Sequence, residues 1–270
     1  MYEGREIFAN APLEYVAAEV RFPYAPLLRQ PEVLDRVALA LGDRFPRLVP
    51  SVAMSLPGTF PAAPPQMETI TRAFNKPYTW GVTVSTTALN IETTAYRDFE
   101  ELLSVVQECL VAVSRHVKIA AVERIGLRYV DEFRVPVPIE NLRSWRGWVA
   151  DRLIDHLDLA PDLAPHNTQT AVQYGTADAQ ALTVRFGSAL TGTGIIGNEP
   201  LKRRHGLIEG PYFALDLDSY WHPAVEDAPD FDVDSIVARI VELHRPIGVT
   251  FQNSITEQLK AQVLRREPSV

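Results

Sequence analysis

The 270-residue chain carries 34 acidic against 26 basic residues, a formal charge of −8, and a single cysteine. At 46% hydrophobic and 22% charged, it has ordinary globular composition with ample material for a core. The acidic balance excludes the broad basic footprint of strong non-specific nucleic-acid binding. One cysteine excludes an intrachain disulfide. No stretch approaches the roughly eighteen apolar residues of a membrane helix, and the polar opening lacks a signal-peptide core, so a cytoplasmic location is expected.

Residues 13–22 alternate: Val16, Ala18, Val20 and Phe22 point one way, Tyr15, Ala17, Glu19 and Arg21 the other. This predicts a strand with one buried face, ended by Pro23 and Pro26. Pro31 opens a helix with Val33, Leu34, Val37 and Leu41 on its stripe, and Gly42 stops it. The proline-rich stretch 46–65 predicts a loop. Residues 68–94 predict a β-meander. Asp98 opens a long helix striped by Phe99, Leu102, Leu103, Val106, Leu110 and Val113, in which Cys109 is a buried structural thiol.

The second half runs through a parallel series. Ile125, Leu127 and Tyr129 alternate with Gly126, Arg128 and Val130 as a strand. SWRGWVADRLIDHL (144–157) predicts a short helix burying Trp145, Trp148, Val149 and Leu153. Residues 170–174 and 182–186 predict a hairpin, 187–211 a long loop, and Phe213, Leu215 and Leu217 a strand. A helix over 233–244 follows, striped by Val233, Ile236, Val237, Ile240 and Val241 and capped by Asp232 or Asp234. A last helix is expected over 251–264. Phe99, Leu102, Val106, Val237, Ile240 and Val241 are the predicted core of the two long helices. The expected fold is α+β: duplicated β-α-β-β-β-α half-domains, 1–121 and 122–270, forming one mostly antiparallel sheet with helices packed on it, as one structural unit.

Three blocks carry a resemblance: NAPLEYVAAEVRF (10–22), RIGLRYV (124–130), and the close formed by Leu243, His244, Phe251 and Ser254 to Thr256. On these the chain resembles a sporadically distributed family of uncharacterised bacterial proteins of similar length. In that family an asparagine commonly follows the RIGLRY-type block; here Asp131 and Glu132 stand near that place. The resemblance implies a single full-length unit and supplies no activity and no catalytic residues.

Three features carry candidate chemistry. Arg128 reads as a carboxylate or anion clamp, or as an internal partner of Asp216, Asp218 or Glu19 across the sheet. Asp216 and Asp218 share a strand face, as a metal or acid–base pair would, or as the solvated face of an antiparallel sheet. The loop 187–211 combines TGTGIIG, with apolar Ile195 and Ile196, and the basic Lys202, Arg203 and Arg204. Its glycines match neither GxGxxG nor a P-loop, and its length marks it as the expected contact surface, or else as a lid tucked onto the sheet. His156 and His244 are expected at helix ends, offsetting the dipole. No catalytic, metal or cofactor motif is present. The reading is a non-catalytic cytosolic accessory or regulatory protein that binds another macromolecule, a protein partner, with a homodimer compatible. The alternative is an enzyme or small-ligand binder with a pocket between the half-repeats using Arg128, Asp216 and Asp218.

Overall fold

The computed structural model describes residues 6–55, 66–176, 178–194, 200–204 and 206–266. Their strands are β1 (Leu13–Arg21), β2 (Arg47–Ser55), β3 (Gln66–Phe74), β4 (Trp80–Val84), β5 (Ala88–Thr93), β6 (Arg124–Phe133), β7 (Asn167–Gly175), β8 (Gln180–Ala189) and β9 (Tyr212–Trp221). All join one sheet in the order β2-β3-β4-β5-β1-β6-β9-β8-β7, each neighbour antiparallel. The helices are α1 (Pro31–Ala40), α2 (Phe99–His116), α3 (Val233–Ser254) and the short α4 (Glu257–Leu259), which runs on as a π turn over Lys260–Leu264. The chain is thus α+β with a single antiparallel sheet, as the alternating segments predict.

Period-2 alternation sorts every central strand between two environments. On β1, Val16, Ala18 and Val20 are fully buried, whereas Tyr15, Ala17 and Glu19 are only half-buried. Across the sheet's centre, Val16 faces Tyr129, Ala18 faces Leu127 and Val20 faces Ile125 on β6. This apolar face carries the helix layer. From α2 it receives Leu102, Val105, Val106, Cys109, Leu110 and Val113; from α3, Ile236, Ile240, Leu243 and Ile247. Both helices begin with an aspartate whose carboxylate accepts a backbone N–H: Asp98 from Glu101 at 2.7 Å, Asp232 from Ser235 at 2.8 Å. Acidic Glu100 and Glu101 at the start of α2, with Arg115 and His116 in its last turn, also complement its dipole.

Four expectations are corrected. Residues 47–55, expected as loop, form β2, because β3 offers a nine-residue antiparallel partner; residues 56–65 lie outside the described residues. The stretch 144–157 is not one helix but 3-10 turns, Leu142–Trp145, Asp151–Leu153 and Asp155–Leu159. Gly147, at φ +86°, breaks the path. Arg143 then gathers the carbonyls of Leu157, Ala160 and Leu163 in place of a helical ladder.

The third correction concerns α3, which does not stop at His244 but runs through Pro246 to Ser254. Proline forfeits one ladder bond, while Ile247 and Phe251 beyond it still pack on the core. His244 therefore sits mid-helix, stacked on Phe99, and not at a helix end. Fourth, the buried stripe of α3 is Ile236, Ile240, Leu243 and Ile247. Val237 is partly buried, and Val241 is 47% exposed and not core. Among the described residues no helix is long and apolar enough to cross a membrane.

Ile240 is fully buried, so Ile240→Ala should lower stability by about 2–5 kcal/mol in denaturant unfolding. Val241→Ala should stay within about 0.5 kcal/mol of the parent. Equal losses at both positions would contradict this packing of α3.

Candidate functional site

The face of the sheet away from the helices is lined with paired charges. Arg128 grips Asp216 with Nε and Nη2, each at 2.8 Å, and Arg185 on β8 reaches the same carboxylate at 3.5 Å. Arg124 binds Glu19 at 2.7 Å and Asp218 at 3.4 Å, with its guanidinium over the Tyr220 ring. Arg72 and the Tyr15 hydroxyl both bind Glu92, at 3.2 and 2.9 Å. The strand register produces these pairs, since Arg128 stands opposite Asp218 and diagonally from Asp216, two residues along the same face of β9. Arg128, Asp216 and Asp218 do come together, but as closed ion pairs: each aspartate meets an arginine rather than its neighbour. Burial raises the Asp218 carboxyl above its ordinary range, and Arg124, Arg185 and Arg128 oppose that rise. Among the described residues no group of three His, Cys, Asp or Glu could hold a metal ion. Cys109 is buried inside α2, and desolvation pushes its thiol pKa up, away from nucleophilic use.

The loop after β8 divides the basic trio among different environments. Ile195 and Ile196 lie outside the described residues. Lys202 exposes its side chain, while its backbone N–H donates to the Tyr78 carbonyl at 2.7 Å and its carbonyl accepts from the Thr94 hydroxyl. The loop is thereby tied to the ends of β4 and β5. Arg203 is inside: its side chain is 5% exposed, with Nη2 2.8 Å from Glu132 and Nε 3.7 Å from Glu14. It also donates to the Thr193 carbonyl, closing the two arms of the loop on each other. Gly194 is required here. Its φ is +102°, and a Cβ would lie 2.0 Å from the Glu132 carboxylate. At Gly194 the glycine-rich run meets a carboxylate, an unsuitable neighbour for a phosphate. Arg204 is exposed at the rim of a cavity.

That cavity, about 510 Å3, lies against the helix-bearing face at the central seam of the sheet. Leu13 of β1 and Tyr129 and Asp131 of β6 supply one wall; the turn 95–98, α3 and the segment 6–12 supply the others. The Tyr129 and Tyr96 hydroxyls are 3.2 Å apart, their rings edge-on at 5.4 Å. His244 stacks on Phe99 at 3.9 Å between centroids and tilts toward Tyr129 at 5.8 Å. Phe8 packs on Phe251. Arg97, held by Asp98 at 2.9 Å, shares the rim with Arg204.

Asp131 is the unusual member of this lining. It is 4% exposed, yet no hydrogen bond from a described residue reaches its carboxyl. Desolvation pushes its pKa well above the ordinary range, and the Glu14 and Asp216 carboxylates add to the rise. Sequence grouped Asp131 with Glu132; alternation on β6 sends them to opposite faces, Glu132 to the Arg203 cluster and Asp131 to the cavity. Tyr96 and His244 had no local signal, because only the packing of α3 on β6 brings them together. Leu13, Tyr129, His244 and Phe251, far apart in the chain, border this one cavity.

Arg203→Ala leaves Glu14 and Glu132 buried with one cation fewer and should cost about 3–5 kcal/mol of stability. Lys202→Ala, exposed and held by its backbone, should stay within about 0.5 kcal/mol. Denaturant curves of both variants compare them directly. Asp131 gives a pH prediction. Its native carboxyl holds a proton more tightly than the unfolded one, whose pKa is near 4. Between those two values the native state binds more protons, so wild-type stability falls as pH rises. Asparagine does not titrate. The stability of Asp131→Asn relative to wild type should therefore grow from about pH 4 upward, and a difference independent of pH would contradict the burial of this carboxyl. No family model matches the chain, and no curated protein matches it.

Proposed function

We propose that the protein binds a small organic ligand in the cavity between the ends of β1, β6 and α3. One observation carries this reading: a cavity of about 510 Å3 lined by aromatic rings and holding a buried carboxyl without a donor among the described residues. Its size falls in the range of small-molecule sites, and an apolar wall with few convergent polar groups is their usual lining. The seam between the two halves of the sheet is where the alternative sequence reading put a pocket, but on the opposite face from Arg128, Asp216 and Asp218.

A second reading has its own support. Among the described residues no helix covers the open face, which carries charges of both signs, with Arg128 and Arg185 still nearly half exposed. This suits a protein partner or a second copy of the chain, and an accessory or regulatory role. We further propose that the chain is a duplication. From the β1–β6 seam, β5-β4-β3 runs one way, extended by the extra edge strand β2, and β9-β8-β7 runs the other, and a long helix, α2 or α3, follows β5 and β9. A cytoplasmic protein without strong non-specific nucleic-acid affinity fits the net charge of −8.

Protein-observed NMR with a general fragment set tests the ligand reading. Shifts should gather on Tyr96, Tyr129, Asp131, His244 and Phe251, and Ala95→Trp, which fills the mouth of the cavity, should remove them. Shifts gathered on Arg128 and Arg185 instead would favour the open face and overturn the cavity as the binding site.

A further inference from the structure

We infer that the cavity selects ligands with a cationic nitrogen head, a primary ammonium or an amidinium, which docks on the Asp131 carboxyl while an aromatic or aliphatic body fills the remaining space. The inference rests on the cavity being a ligand site and names the class it takes.

Folding leaves one polar group of the cavity without a hydrogen-bond partner among the described residues. Burying a carboxyl without a donor is unfavourable, because the hydrogen bonds it made to water are not replaced. Asp131 is 4% exposed and lines the cavity, and no hydrogen bond from a described residue reaches it. The charges around it are of its own sign: Glu14 from β1 and Asp216 from β9 both push against its ionisation. Glu14 is answered by Arg203, and Asp216 by Arg128 and Arg185. No arginine or lysine of the described residues forms an ion pair with Asp131. A guest in the cavity can supply that partner.

An anionic head fits poorly. It would meet a carboxyl pressed by two further carboxylates. A neutral donor would satisfy one oxygen and leave the local field uncompensated. A cationic donor does both: it forms a charge-assisted hydrogen bond and restores the balance that Glu14 and Asp216 upset. The aromatic lining supports the same choice. Tyr96, Tyr129, Phe8 and Phe251 present ring faces and edges, and a cation near a ring face is attracted by its quadrupole. Arg97 and Arg204 at the rim repel a second cation there and set the polarity of approach, nitrogen inward and body or acidic tail outward.

A matched set of probes separates this inference from the cavity reading beneath it: phenethylamine, 2-phenylethanol and phenylacetate, titrated into the full chain and followed by protein-observed NMR. Phenethylamine should bind at the cavity roughly tenfold more tightly than 2-phenylethanol, the value of one charge-assisted hydrogen bond over a neutral one. Asp131→Asn, isosteric and neutral, should bring the two affinities together, and Tyr129→Phe should keep the preference. Binding of the alcohol or the acid at the cavity with no advantage for the amine would overturn the cationic head and leave the cavity reading standing. An amine preference that survives Asp131→Asn would also overturn it. If none of the three moves a cavity resonance, the cavity reading fails and the inference fails with it.

Discussion

The antiparallel register of β1 against β6 is the constraint on which everything else rests. It joins the two halves of the sheet and fixes which side chains face the helices. Because strand side chains alternate with period two, a slip of one residue would send Val16, Ala18 and Val20 to the charged face and Glu19 into the core. The pairing is held from both directions. Apolar partners meet on one face, and Glu19 and Arg124 bind at 2.7 Å on the other. Near the start of β1 the register shifts between Leu13 and Tyr15, a bulge at Glu14. Such an irregularity re-aims a side chain, and here Glu14 reaches Arg203 of a distant loop.

The two faces follow from that register and differ in kind. The helix-bearing face is a continuous apolar core, in which burial supplies most of the stabilisation. The open face is held by pairs such as Arg128–Asp216 and Arg124–Glu19. Exposed ion pairs contribute little each, a fraction of a kcal/mol in the median. Their consequence is geometric: they keep the long side chains upright and in place, and they neutralise two aspartates that share a strand face. The same strand, β6, thus contributes Arg128 to a closed surface pair and Tyr129 and Asp131 to the cavity.

Around the cavity, elements far apart in the chain are interdependent. Arg203 anchors the loop after β8 on Glu132 and Glu14, which sets the adjacent Arg204 at the rim. Gly194 permits the other arm of that loop to approach Glu132. On the opposite wall, α3 must run past Pro246 for Ile247, Gly248 and Phe251 to close the space. A cavity built from five separate stretches has no local signature.

The sequence by itself determined the alternating strands, the long helix from Asp98, the buried state of Cys109 and the α+β class, because these depend on periods and caps that a short window contains. It even held the clue that Asp131 and Glu132, as neighbours on a strand, part to opposite faces. Only the tertiary structure decided the rest. β2 became a strand because β3 was there to pair with it. Residues 144–157 became turns because Gly147 and Arg143 organise that stretch better than a helix does. Val241 stayed in solvent because the crossing of α3 over the sheet selects which side of a broad stripe is buried. Arg203, read as surface charge, went inside because two carboxylates from distant strands converge on it. His244 and Tyr96 joined a cavity wall for the same reason: long-range packing, which no spacing along the chain encodes, chooses their neighbours.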